Sequence, residues 1–197
     1  MKKPLLGKKI AVLVANGFSE KDLTFTQKAM MGAGADMRIV SMDHGLVNSW
    51  NTEGWGLNYA ADQVLSRALA ADYDMLIVPG GHRSVEKLEL TAHTRRFISG
   101  FVNTGKPVAI YGSAMELLLF SECIDGLVVA GDEKFRERAE AQGAEWSEDA
   151  YVLNKNVVTG LSSGENREGF AKLVSQFFIG EFTDGEGTKD LPEAVAA

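Results

Sequence analysis

The chain carries a single cysteine, Cys123, together with only four prolines, three histidines and fewer bases than acids, 20 against 27. One cysteine excludes an internal disulfide and agrees with a reducing compartment. With so few histidines and cysteines, no set of residues stands at metal-ligand spacing, so neither a metal nor another cofactor is expected. A net charge of −7 comes with no cluster of Lys and Arg to neutralise phosphates, which argues against nucleic acid as a partner. Long apolar runs are also missing. The run Ile-Ala-Val-Leu-Val-Ala near the N-terminus is too short to span a bilayer, and no small-residue cleavage site follows it before Ser19-Glu20-Lys21-Asp22. The expectation is a cytoplasmic protein without a membrane partner.

What is present is a regular alternation. Short apolar runs of the buried-strand type occur at 9–15, 36–42, 73–80, 106–112, 126–131 and 156–160. Between them, apolar residues recur at helical spacing over 19–34, 90–105, 113–122, 133–143 and 164–180. Strands that alternate with helices imply a mostly parallel sheet covered on both faces, a three-layer α/β/α sandwich. The 45% hydrophobic content is enough for one core, and the expectation is a single domain over 1–182. The Gly-rich, acidic stretch 183–197 reads as a mobile tail. Residues 43–60, punctuated by Gly, Asn and Asp, fit a hairpin, and Asn154-Lys155-Asn156 fits the turn of another.

Parallel sheets bind ligands beyond the carboxyl ends of their strands, so the strand ends are where chemistry is sought. The first is followed by Asn16-Gly17, then Ser19 as a helix cap with Asp22 three residues on. A later one ends in Pro79-Gly80-Gly81, whose backbone can aim amide N–H groups into a cleft as an anion or oxyanion site. His82, which follows, reads as a polar loop residue. The stretch Gly-Lys-Pro-Val-Ala-Ile-Tyr-Gly-Ser over 105–113 turns from strand to helix at Tyr111, Gly112 and Ser113. Glycines two places either side would mark a catalytic serine, but Tyr111 and Met115 stand there, so Ser113 reads as a helix-cap hydroxyl.

Taken together these corners resemble the ThiJ/PfpI superfamily, which contains intracellular peptidases, Hsp31-type chaperones and the parkinsonism-associated deglycase. Asp-Tyr-Asp-Met-Leu-Ile-Val-Pro-Gly-Gly at 72–81 matches the family's D-Y-D-x-x-x-x-P-G-G segment. Residues 105–118 resemble its G-K-P-V-A-x-I-C-H-G segment, read with one fewer residue before the corner. Trp50-Asn51-Thr52-Glu53-Gly54-Trp55-Gly56 resembles a W-N-x-x-x-W-G hairpin of some bacterial members. The resemblance implies a class I glutamine amidotransferase-like, flavodoxin-like fold, and in the family a Cys-His-Glu site. Carried over on that reading, the cysteine position falls on Tyr111, the histidine on Gly112 and the glutamate on Asp22, and all three differ.

A phenol is a much weaker nucleophile than a thiolate at neutral pH, and its ring fills the room a substrate carbonyl needs. Cys123 stands about 15 Å further along the helix and cannot replace the missing thiol. The family's S-R-x-P segment becomes Gly-Leu-Ser-Ser from Gly160, which removes a basic side chain. The expected function is a non-catalytic binding, chaperone-like or stress-related module. Its pocket would be framed by Gly80, Gly81, Gly112, Ser113, Tyr111, Asp22, Trp50 and Trp55, and would take a small anionic or carbonyl ligand. Two alternatives stand beside it: an enzyme of altered chemistry using Tyr111 and Asp22 as an acid/base pair, and an assembly protein whose Trp50 and Trp55 form an interface. Family members commonly associate, so a homo-oligomer, a dimer, is expected.

Overall fold

Residues 3–180 are described by the structure, a computed structural model of the chain; the expected tail at 183–197 lies outside them. The chain begins with β1 (Lys9–Val14), a two-residue β2 (Phe18–Ser19) and α1 (Glu20–Gly32). It continues through β3 (Asp36–Ser41), the hairpin β4 (Leu46–Asn51) and β5 (Gly54–Ala60), β6 (Gln63–Val64) and β7 (Met75–Val78). Then come α2 (His82–Leu88), α3 (Ala92–Val102), β8 (Val108–Tyr111) and α4 (Met115–Phe120). The last part holds β9 (Val128–Val129), α5 (Arg136–Ala141), β10 (Glu145–Trp146), β11 (Tyr151–Asn154), β12 (Val157–Gly160) and α6 (Asn166–Phe178).

Seven strands form one sheet in the order β11-β12-β8-β7-β1-β3-β6, parallel throughout except where β11 turns back on β12. The run at 126–131 is the one predicted strand that does not join it. Bounded by Gly126 and Gly131, it contributes only β9, which pairs with β10 in a separate two-stranded ladder. The expected hairpin at 43–60 does form, with β4 also pairing β2.

Alternation along the central strands divides the core in two. Ala11, Leu13, Leu76, Val78 and Ile110 face α3 and α4, packed with Phe97 and Phe101. Ile10, Val12, Ile77, Ala109 and Tyr111 face the opposite layer with Leu23, Phe170 and Val174 of α1 and α6. Each large side chain so buried contributes about 1.5–3 kcal/mol, and the two apolar faces are what force helices onto both sides.

β1 continues outward through α1 to β3, whereas β7 returns on the other side of β1. The chain therefore reverses direction across the sheet between β1 and β7, the point where parallel sheets open a crevice at their carboxyl ends. Asn16-Gly17, Gly80-Gly81, Gly112 and Leu161-Ser162 follow β1, β7, β8 and β12 at that edge.

Candidate functional site

β8 ends in extended backbone at Tyr111 (φ −97°, ψ 119°), and the chain turns into a single 3₁₀ turn, Gly112–Ala114, ahead of α4. The residue that takes the left-handed conformation at this corner is Gly112 (φ 49°). The corner thus falls one residue later than the resemblance, read with a gap, implies. Glycine is what this position demands, both because φ is positive and because a β-carbon here would come within 2.6 Å of Ser162 Oγ.

Tyr111, one place earlier, points into the sheet's other face. It is fully buried, its ring edge-on to Phe170 with centroids 4.5 Å apart, and its hydroxyl is hydrogen-bonded to Thr26. Burial drives its pKa up, with the Asp22 charge adding to the rise against the opposing Thr26 bond. The Tyr111–Asp22 acid/base pair of the alternative reading is therefore not formed: the phenol's partner is a threonine hydroxyl inside the core, and no face of the ring is open to a ligand.

Asp22 is in the first turn of α1, whose N-cap is Ser19, with the Ser19 hydroxyl accepting from the Asp22 amide at 3.4 Å. The residue is 1% exposed. Oδ2 accepts from the Gly80 amide at 3.1 Å and from Ser162 Oγ at 3.3 Å, and Oδ1 accepts from Arg167 Nε at 3.3 Å. Desolvation raises the Asp22 pKa and outweighs the interactions with Ser19, Arg167 and Gly80 that lower it. Arg167 stands at the start of α6, so a basic side chain does return to this edge, although the altered segment from Gly160 carries none of its own.

The double glycine, expected to direct amides into the cleft, does not. The Gly80 amide goes to Asp22, and the Gly81 amide donates to Ser113 Oγ at 2.9 Å. Ser113 is accordingly an acceptor for the neighbouring loop rather than a cap for its own helix, where no side-chain cap is made. Gly81 (φ 111°) is held against Gly17 O and Ser19 N, each 2.6 Å from where its β-carbon would be. The loop after β7 is thus locked to the loop after β1, and its amides are spent inside the protein.

Trp50 and Trp55 face each other across β4 and β5, edge to face with centroids 5.5 Å apart. Arg83, in the first turn of α2, lies over both, 4.1 Å from the Trp50 ring centroid and 5.4 Å from that of Trp55. The Arg83 β-carbon also abuts Gly17. The tryptophans therefore build a rim outside the β1 turn, and no hydrogen bond or ring contact joins them to Asp22 or Tyr111 among the described residues. The hairpin is pinned by Glu20, whose Oε2 accepts from Ser49 Oγ and from the Leu57 amide. His82 is exposed and pairs with Glu86. Cys123 follows α4, partly buried against the core, its thiol pushed up to about 11 by desolvation.

Thr26, Ser162, Arg83 and Arg167 do not stand out in the sequence. Arg83 follows the end of β7, Ser162 and Arg167 that of β12, and all three were reachable by the strand-end rule; Thr26 carries no local signal and is brought in only by packing. Among the described residues no group of three or more His, Cys, Asp and Glu is arranged to hold a metal ion. No helix among them is long and apolar enough to cross a membrane.

Residues 8–176 match the sequence model of the DJ-1/PfpI family. The chain belongs to that family. Among its relatives it is 27% identical over 175 residues to general stress protein 18 of Bacillus subtilis, a match that covers 85% of this chain and 99% of that one. It is 26% identical over 152 residues to protein/nucleic acid deglycase 2 of Escherichia coli, covering 77% of this chain and 86% of the relative. In structure it is similar to a two-domain protein from Anabaena variabilis with DJ-1/ThiJ/PfpI-like and ferritin-like domains (TM-score 0.78, 20% identity). That match covers 96% of this chain but 54% of the other, so this chain spans about half of the two-domain protein. The sandwich with its mostly parallel sheet is thus the DJ-1/PfpI fold.

Proposed function

We propose that this DJ-1/PfpI-family protein works without the family's cysteine chemistry, as a non-catalytic binding module with a chaperone-like or stress-related role. One observation carries the reading: the residue at the strand-to-helix corner is Gly112, in the left-handed conformation, with Ser162 Oγ occupying the room a side chain would need. The segment 105–112 is as long as the family's G-K-P-V-A-x-I-C, so counted without a gap the family's cysteine falls on Gly112 and its histidine on Ser113. Neither residue offers a thiolate or an imidazole. Both double-glycine amides are engaged by Ser113 and Asp22, so neither is left to receive an oxyanion.

The stress-related part draws on a relative's name, general stress protein 18. A cytoplasmic location and a homodimer complete the proposal. Purified protein is expected to show no turnover in peptidase, glyoxalase, deglycase and amidase assays. Turnover that Ser162→Ala or Asp22→Asn abolishes would defeat the reading. Light scattering tests the dimer, which a mass of one chain at micromolar concentration overturns.

A further inference from the structure

The sequence has eight arginines in a chain with an excess of acids. Five of them, Arg38, Arg95, Arg136, Arg138 and Arg167, form ion pairs. Arg96 donates to the carbonyls of Leu65, Ser66 and Ala68. Arg67 is exposed on the loop after β6. Arg83 differs from all of these. It is exposed, has no acid partner among the described residues, and yet is held in place by two tryptophans and by the Gly17 turn.

A guanidinium donates within its own plane, so one lying over a ring keeps its N–H groups for another partner. The flexible stem of an arginine normally loses much rotamer freedom on binding, and stacking on Trp50 and Trp55 meets part of that cost beforehand. Held against the two rings and without an acid partner among the described residues, Arg83 is available to fork onto two oxygens of a ligand.

The surroundings narrow what the two oxygens belong to. Glu20 lies under the hairpin and Glu86 one turn along α2, within a molecule of net charge −7, so a dianion is repelled more than a monoanion. Trp55, under the guanidinium, and Leu57, two residues along β5 on the same strand face, are 56% and 60% exposed, apolar surface that a ligand body would cover. The cluster also borders the β1 turn, next to the point where the sheet's chain direction reverses.

We propose that Arg83, seated on Trp50 and Trp55, is the docking group for a carboxylate carried on an apolar or aromatic body, and that this rim is where the binding module takes its ligand. The inference rests on the non-catalytic reading above, and the two fail separately. Turnover of a carbonyl substrate would defeat that reading and leave carboxylate binding intact; loss of the preference for an acid over its amide does the reverse.

The test titrates the full chain with N-acetyl-phenylalanine and with its amide, followed by tryptophan fluorescence and calorimetry. The acid is expected to saturate the signal and to bind at least tenfold tighter than the amide. Arg83→Gln should weaken the acid at least tenfold, and Arg83→Lys, which keeps the charge but loses the fork, should also weaken it, with both variants melting close to the wild type. Equal binding of acid and amide, no binding of either at millimolar concentration, or an Arg83→Gln variant that binds like the wild type overturns the proposal. So does inorganic phosphate competing as well as the acid. A hexapeptide ending in phenylalanine separates the two sources of such a carboxylate: tighter binding than N-acetyl-phenylalanine supports a peptide terminus as the ligand, weaker binding a small free acid.

Discussion

Ser162 Oγ stands 2.6 Å from the point that a β-carbon on Gly112 would occupy, while the same oxygen donates to Asp22 at 3.3 Å. The hydroxyl of one loop thus fills the seat that the corner of another leaves open. A side chain returned to the corner has to push that hydroxyl aside.

That relationship gives the first prediction. Gly112→Cys alone places a side chain at φ 49° and against Ser162. The left-handed conformation costs about 1–2 kcal/mol, which lowers Tm by about 3–6 °C in a chain of this size. Adding Ser162→Ala should recover part of the loss and raise the labelling rate of the new thiol several-fold. Equal stability and equal labelling of single and double variants would show that Ser162 does not fill the space.

Tyr111 belongs to the core. Tyr111→Phe removes one buried hydrogen bond to Thr26, but Thr26 Oγ1 keeps its bond to the Asp22 carbonyl at 3.3 Å. A cost of about 1 kcal/mol in a denaturant titration is expected, with ligand binding unchanged. In a double-mutant cycle with Thr26→Val the two losses should not add, because both remove the same bond. Full additivity contradicts the assignment.

Asp22 sets a pH dependence of definite sign. Its folded pKa lies above the unfolded one, so the native state binds more protons than the unfolded chain between the two values. Its contribution therefore falls as pH rises from the ordinary carboxylate range, about 4, through the raised folded value. Thermal melts over the acidic range should show this falling component in the wild type and lose it in Asp22→Asn. At neutral pH the same substitution also removes the partner of Arg167. A profile unaltered by Asp22→Asn means that burial does not dominate this carboxylate.

Cys123 is expected to be a poor nucleophile. Desolvation pushes its thiol up to about 11, and the side chain is packed against the core beside α4. Iodoacetamide should label the native protein at least tenfold more slowly than the unfolded chain at about pH 7.5, with the native rate climbing as pH approaches the raised thiol value. Fast labelling at neutral pH would overturn this assignment.

Much of the fold was legible because it rests on local patterns. The alternation of apolar runs with helical spacing announced the parallel sheet, since only strands buried on both faces read as unbroken runs such as that of 9–15. The Asn and Gly residues of 43–60 announced a hairpin for the same local reason. α2 was not anticipated: its seven residues are too few for a helical period to stand out, and it forms because the Gly81 carbonyl and core contacts of Val85 and Leu88 hold it.

That the corner after β8 holds no cysteine, and that glycines surround it, follows from residue identity, which needs no coordinates. Which of Tyr111 and Gly112 forms the corner does not, since a strand's last residue and a turn's first differ by one dihedral angle. Nor does the destination of the Gly80 and Gly81 amides, because their acceptors, Asp22 and Ser113, are 58 and 32 residues away in the chain. Those choices belong to packing between distant segments, which buried Tyr111 on Thr26, brought Ser162 and Arg167 to Asp22, and set Arg83 on two tryptophans.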